Sequence, residues 1–89
     1  MVQAHIFFSG RVQGVGFRYT TQRLAQSHQL MGWVKNLADG RVEAIVEGQN
    51  ENIDMLCHDL QQHFGKCIES KEMITNNTLN HFKDFRITY

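Results

Sequence analysis

The hydrophobic positions of this 89-residue chain repeat with two different periods. Between Val2 and Ser9, the residues Val2, Ala4, Ile6 and Phe8 alternate with Gln3, His5, Phe7 and Ser9, which is the period of a strand. From Phe17 onward the apolar or small positions are Phe17, Thr21, Leu24, Ala25 and His28, and these fall on one helical stripe. Met31 to Asn36 and Arg41 to Gly48 read as two strands. Asp39-Gly40 between them suits a hairpin turn, because glycine accepts a positive φ. In the second of these strands Val42, Ala44 and Val46 are expected to face the core and Glu43 and Glu47 to face outward, with Ile45 out of phase. Asn50 or Asn52 can cap a second helix whose stripe is Ile53, Leu56, Cys57, Leu60 and Phe64, and Gly65 can stop it. Cys67 to Thr75 alternates poorly and predicts a weaker strand. Asn76-Asn77 predicts a loop, and Phe85, Ile87 and Tyr89 mark a final strand.

Strand, helix, strand, strand, helix, strand is the order of a ferredoxin-like βαββαβ sandwich. The predicted class is α+β, an antiparallel sheet with two helices on one face, in a single domain over residues 1–89. A chain of this length buries only about 60–65% of the surface that its unfolded form exposes, so one modest core is the limit.

Composition changes the picture mainly by exclusion. Nine basic and nine acidic residues cancel. No basic run offers the extended field that a nucleic-acid backbone needs, so no nucleic-acid partner is expected. No apolar stretch approaches the roughly 20 residues that cross a bilayer. The N-terminal residues Met1 to His5 lack the pattern of a secretory leader, and a cytoplasmic location is expected, with Cys57 and Cys67 reduced and inert. The five histidines do not assemble a ligand set: His58 and His63, on one helix, point roughly 140° apart at 3.6 residues per turn. His5 and Phe7 belong to the strand face away from the helices, and Trp33 is read as packing. Ser9, Ser27 and Ser70 have no paired base in any recognisable pattern.

The chemistry concentrates in Gly10-Arg11-Val12-Gln13-Gly14-Val15-Gly16-Phe17-Arg18, which joins the first strand to the first helix. The first amide N–H groups of a helix have no intrahelical partner, and the helix dipole adds partial positive charge there. Gly14 and Gly16 let the backbone curl so that several N–H groups converge, an anion cradle. Arg18, in the first helical turn, can clasp two phosphate oxygens with its planar guanidinium. The competing reading is a tight turn followed by a solvated arginine. The glycine spacing matches neither a nucleotide phosphate loop nor a dinucleotide fingerprint.

The run from Gly10 to Tyr19 resembles the N-terminal signature of the acylphosphatase family. Gly32-Trp33-Val34-Lys35-Asn36, followed by Asp39-Gly40-Arg41-Val42-Glu43, resembles its second signature, and the resemblance extends to Phe85-Arg86-Ile87. It implies an enzyme that hydrolyses the carboxyl–phosphate anhydride of small acyl phosphates. Amides of Gln13, Gly14, Val15, Gly16, Phe17 and Arg18 would bind the phosphate, together with the Arg18 side chain. It also implies no cofactor, no metal and no covalent intermediate, with inorganic phosphate as a product inhibitor; a monomeric state is expected because a small domain with an unobstructed cradle needs no partner. Asn36 by itself reads as a strand-ending turn residue; the resemblance gives it the attacking water to orient. Departures lie outside the signatures. Gln49 and Gly65-Lys66 stand where the family often has prolines, and Cys67 to Asn80 matches poorly.

Two readings from other classes compete. An RNA-binding module shares the βαββαβ plan and would stack bases on the open sheet face near His5 and Phe7. It would carry an aromatic-rich strand signature that is missing here. A non-catalytic phosphate-binding regulator would need Arg18 but not Asn36.

Overall fold

The computed structural model describes all residues, 1–89. The strands are β1 (Val2–Gly10), β2 (Met31–Asn36), β3 (Val42–Gly48), β4 (Ile68–Asn76) and β5 (Phe85–Thr88). The helices are α1 (Phe17–Ser27) and α2 (Asn50–Phe64), the latter followed by a short 3-10 turn, Gly65–Cys67.

The sheet order is β4-β1-β3-β2-β5. The antiparallel sheet expected from sequence holds for β4, β1, β3 and β2, but β5 runs parallel to β2, so the sheet is mixed. The reason is connectivity. β4 and β5 lie at opposite edges, so residues 77–84 traverse the sheet before β5 begins, and this long return aligns β5 with β2.

Register decides which side chains meet. Ala4 pairs with Val46, Ile6 with Ala44 and Phe8 with Val42. With Val34 and Phe85 these residues form the helix-facing side of the sheet, where Phe17 and Ala25 of α1 and Ile53, Leu56 and Leu60 of α2 close a 15-residue core cluster. The burial of this apolar surface is the main favourable term in folding. Gly32 is required within the sheet: its φ is 140°, and a Cβ there would collide with the Ile45 carbonyl.

Some expectations shift. On α1 the buried residues are Phe17, Thr20, Thr21 and Ala25; Leu24 packs against the core half-buried, as expected, and Thr20 is the addition. Neither Asn50 nor Asn52 caps α2; its N-cap is Gln49, with no side-chain bond. Gly65 does terminate α2, at φ 52°. Glu47 points away from the helices but is not exposed, being only 2% accessible. The returning 77–84 segment covers it, and its carboxylate accepts the main-chain N–H groups of Asn80, His81 and Phe82 and the Gln3 amide. Sequence alternation gives a residue's side of the sheet; it does not say what later chain will lie on that side.

The weak β4 alternation reflects its place at an edge, where every residue after Ile68 is exposed. On the open face, His5 Nε2 lies 2.6 Å from Glu43 Oε2 and the Arg41 guanidinium sits 4.7 Å from the Phe7 ring centre. Those side chains already engage one another. Trp33 is half-buried on this face, with the Lys35 ammonium 5.6 Å from its ring centre. No helix is long and apolar enough to cross a membrane.

Candidate active site

The anion cradle begins with an anchored floor. Val12 is 1% exposed, while Gly14, Val15 and Gly16 above it are open to solvent. Gly14 and Gly16 have φ of 77° and 81°, a region in which an L side chain costs about 1–2 kcal/mol. The left-handed turn at Gly16 feeds directly into α1, where Gly16 is the N-cap without a side-chain capping bond and no acidic residue occupies the first turn. The first N–H in this stretch to reach a carbonyl is that of Thr20, bonded to Gly16 O at 3.0 Å. The N–H groups of residues 13–19 therefore carry unsatisfied donor capacity, and those of Phe17 to Tyr19 also the positive end of the helix dipole.

Phe17 fixes the direction of this terminus. Its ring lies 5.0 Å from that of Phe8 on β1 and 4.8 Å from that of Phe64 on α2, so its backbone N–H is held by core packing. Arg18, the next residue, is half-buried. Its Nη1 donates to the Thr88 carbonyl at 3.4 Å and its guanidinium stacks 4.9 Å from the Tyr89 ring centre. The end of β5 thus steers the one arginine of the site.

Asn36 reaches the same place from β2. It pairs with Val42, which pairs with Phe8, so Asn36 continues the inward row of Gly32 and Val34 at the mouth of the core. Its Oδ1 is shielded from solvent and has no hydrogen-bond partner within the protein. An unsatisfied buried acceptor costs about 1–3 kcal/mol, and such groups persist where a function retains them.

A cavity of about 270 Å³ collects these elements; Val12, Gly14, Gly16, Phe17, Arg18 and Asn36 line it, with Tyr19, Ile87 and Tyr89. Of the residues predicted from sequence, Gly14, Gly16, Phe17, Arg18 and Asn36 come together here. Val15 is exposed on the adjoining loop, and the Gln13 side chain turns to the β2–β3 hairpin, donating from Nε2 to Leu37 O at 2.7 Å and Arg41 O at 3.0 Å. Tyr19, Ile87 and Tyr89 were not singled out. Ile87 shares the inward phase of Phe85, a signal that identifies its face but cannot reveal that β5 lies beside β2, and Tyr89 follows the strand as an exposed ring over Arg18. No three His, Cys, Asp or Glu side chains converge as a metal-binding group.

A small α+β sandwich whose helix N-terminus, arginine and strand-end asparagine share one cavity belongs to the class of compact phosphate-handling proteins. The comparisons narrow that class. The family model for acylphosphatase matches residues 4–87. The acylphosphatase of Acaryochloris marina is 46% identical over 79 residues, covering 89% of this chain and 85% of the relative. That of Bacillus velezensis is 38% identical across the full length of both chains. The crystal structure of the Bacillus subtilis acylphosphatase superposes with a TM-score of 0.94 at 36% identity, covering all of both chains. The chain belongs to the acylphosphatase family.

Proposed function

We propose that this protein is an enzyme that hydrolyses acyl phosphates to carboxylate and inorganic phosphate, with the phosphoryl group seated in the 13–18 cradle. The observation that carries the reading is that Arg18 and Asn36 line one cavity together with Gly14, Gly16 and Phe17, in a loop whose amides have no carbonyl partner in the protein. The names of the full-length relatives support the same reaction class.

Phosphoryl transfer passes through a loose transition state whose charge lies mainly on the equatorial oxygens, so positioning and electrostatics carry most of the catalysis. The N–H groups of Gln13 to Arg18 and the Arg18 guanidinium supply fixed positive partners for those oxygens. Asn36 holds the attacking water in line with the scissile P–O bond, and the phosphate accepts the water proton. A carboxylate leaving group needs little protonation, so no general acid is required. The protein acts as a monomer, without a cofactor, and inorganic phosphate inhibits by occupying the cradle. We assign it to the cytoplasm on the support of Cys57 and Cys67, which are unpaired thiols.

The deciding experiment is hydrolysis of an aryl acyl phosphate followed by ultraviolet absorbance. Turnover competitively inhibited by phosphate is expected. Tight phosphate binding without turnover would replace this reading with that of a regulator.

A further inference from the structure

The cradle and Asn36 sit on different parts of the chain, and one side chain spans the gap between them. Gln13 Nε2 carries two hydrogens and meets two carbonyls, Leu37 O at 2.7 Å and Arg41 O at 3.0 Å, across sequence separations of 24 and 28 residues. Leu37 and Arg41 are the two ends of the turn that follows Asn36. That turn closes without Gln13: Leu37 N donates to Arg41 O at 2.8 Å and Gly40 N to Leu37 O at 3.2 Å. The carboxamide uses the remaining acceptor capacity of both carbonyls. It adds a link between loop and hairpin rather than the closure of the hairpin.

The loop has few other ties. The Arg11 N–H reaches Cys67 O at 2.8 Å, and Val12 is buried beneath. Beyond Gln13, residues 14 to 16 are exposed and a Cβ added at Gly14 or Gly16 would meet nothing within 4 Å, so this part of the loop packs against little before Phe17 enters the core. Asn36, which lines the same cavity, is the residue immediately before Leu37, and its own Oδ1 has no protein partner to orient it.

We propose that the Gln13 side chain is a positioning residue that sets the spacing between the amide cradle and Asn36, a role separate from that of its main-chain N–H. The inference rests on the hydrolytic reading above and deepens it. Phosphate is held on the cradle side and the water on the Asn36 side. Loss of the strut leaves phosphate binding in place while the water drifts off line. A misplacement of about 1 Å at such a site costs on the order of 100-fold in rate.

Gln13→Met keeps the length and the main-chain amide and removes both donors. It is expected to lower kcat by roughly 10- to 100-fold, with competitive inhibition by inorganic phosphate changed no more than about three-fold. In a double-mutant cycle with Asn36→Ala, the second substitution should add little to the first, because both act on the same water. Gln13→Glu supplies a pH readout. An ionised carboxylate faces two carbonyls and donates nothing, whereas the protonated acid donates once, so its kcat relative to the unmodified protein should recover as pH falls through the carboxylate range. Full multiplicativity of the Gln13 and Asn36 effects, or loss of phosphate binding in step with kcat, would overturn the role. So would unchanged turnover in Gln13→Met.

A readout independent of turnover is the NMR signal pair of the Asn36 side-chain amide with phosphate bound, which should shift and broaden in Gln13→Met; an unaltered pair overturns the inference. Absence of turnover by the unmodified protein would refute the hydrolytic reading instead, and the NMR comparison would still judge the strut.

Discussion

Arg18 and Thr88 are separated by 70 residues, yet the Arg18 guanidinium donates to the Thr88 carbonyl at 3.4 Å. The contact joins the first turn of α1 to the end of β5, and the Tyr89 ring beside it gives the guanidinium a flat surface 4.9 Å away. The arginine is thus half-oriented before any anion arrives. Preorganisation of this kind lowers the reorganisation that the transition state must otherwise drive.

Arg18→Ala is expected to reduce kcat/KM for an aryl acyl phosphate by at least about 100-fold, the scale for loss of one preorganised charge-stabilising donor. Arg18→Lys should recover only part of this, because a point charge cannot grip two oxygens side by side. Activity of the alanine variant within a few-fold of the unmodified protein would remove Arg18 from the mechanism.

Asn36→Ala is expected to depress kcat by about 100-fold or more while phosphate inhibition remains nearly intact. Steady-state kinetics with phosphate as competitor separate the two effects. A parallel collapse of phosphate affinity would make Asn36 an anion ligand and not a water-positioning group.

Gly16→Ala tests the cradle backbone without touching a functional side chain. An added Cβ meets no atom within 4 Å, so the cost is conformational, from φ 81°. A loss of about 1–2 kcal/mol is expected, or relaxation of the turn with weaker phosphate binding. For a domain of this size each 1 kcal/mol lowers Tm by about 4–8 °C. Unchanged Tm together with unchanged phosphate affinity would show that the left-handed turn is dispensable.

Glu47 predicts a pH effect. Burial pushes its carboxyl pKa up, but the N–H of Asn80, the Gln3 amide and the N–H groups of Phe82 and His81 outweigh burial and hold it below the usual carboxylate range. Its folded pKa lies below its unfolded one. Its contribution to stability is therefore complete above the ordinary value of 4.5 and is lost as pH falls through the lower, folded value. Glu47→Gln should flatten the dependence of stability on pH in that acid window and speed hydrogen exchange at Asn80, His81 and Phe82. Identical acid unfolding slopes for the two proteins would show that the carboxylate does not clasp the loop.

The chain declares most of its fold locally. The alternation of Ala4, Ile6 and Phe8, the stripe of Ile53, Leu56 and Leu60 and the stop at Gly65 follow from side-chain period and backbone freedom, and all appear as expected. The glycine loop before Arg18 is equally legible, because the donors of a helix N-terminus and a left-handed glycine need no tertiary partner to be recognised. Asn36 is only half legible. Its phase with Gly32 and Val34 puts it on the inward face, but an asparagine before a hairpin also suits a turn.

Tertiary structure decided what no local period encodes. The parallel place of β5, the burial of Glu47 under the 77–84 return, the Arg18–Thr88 contact and the reach of Gln13 to Leu37 and Arg41 all join residues far apart in the chain. Periodicity tells a residue which side of its own element it occupies. Which element comes to lie opposite depends on the route of the whole chain, and that route is chosen by the burial of the shared core.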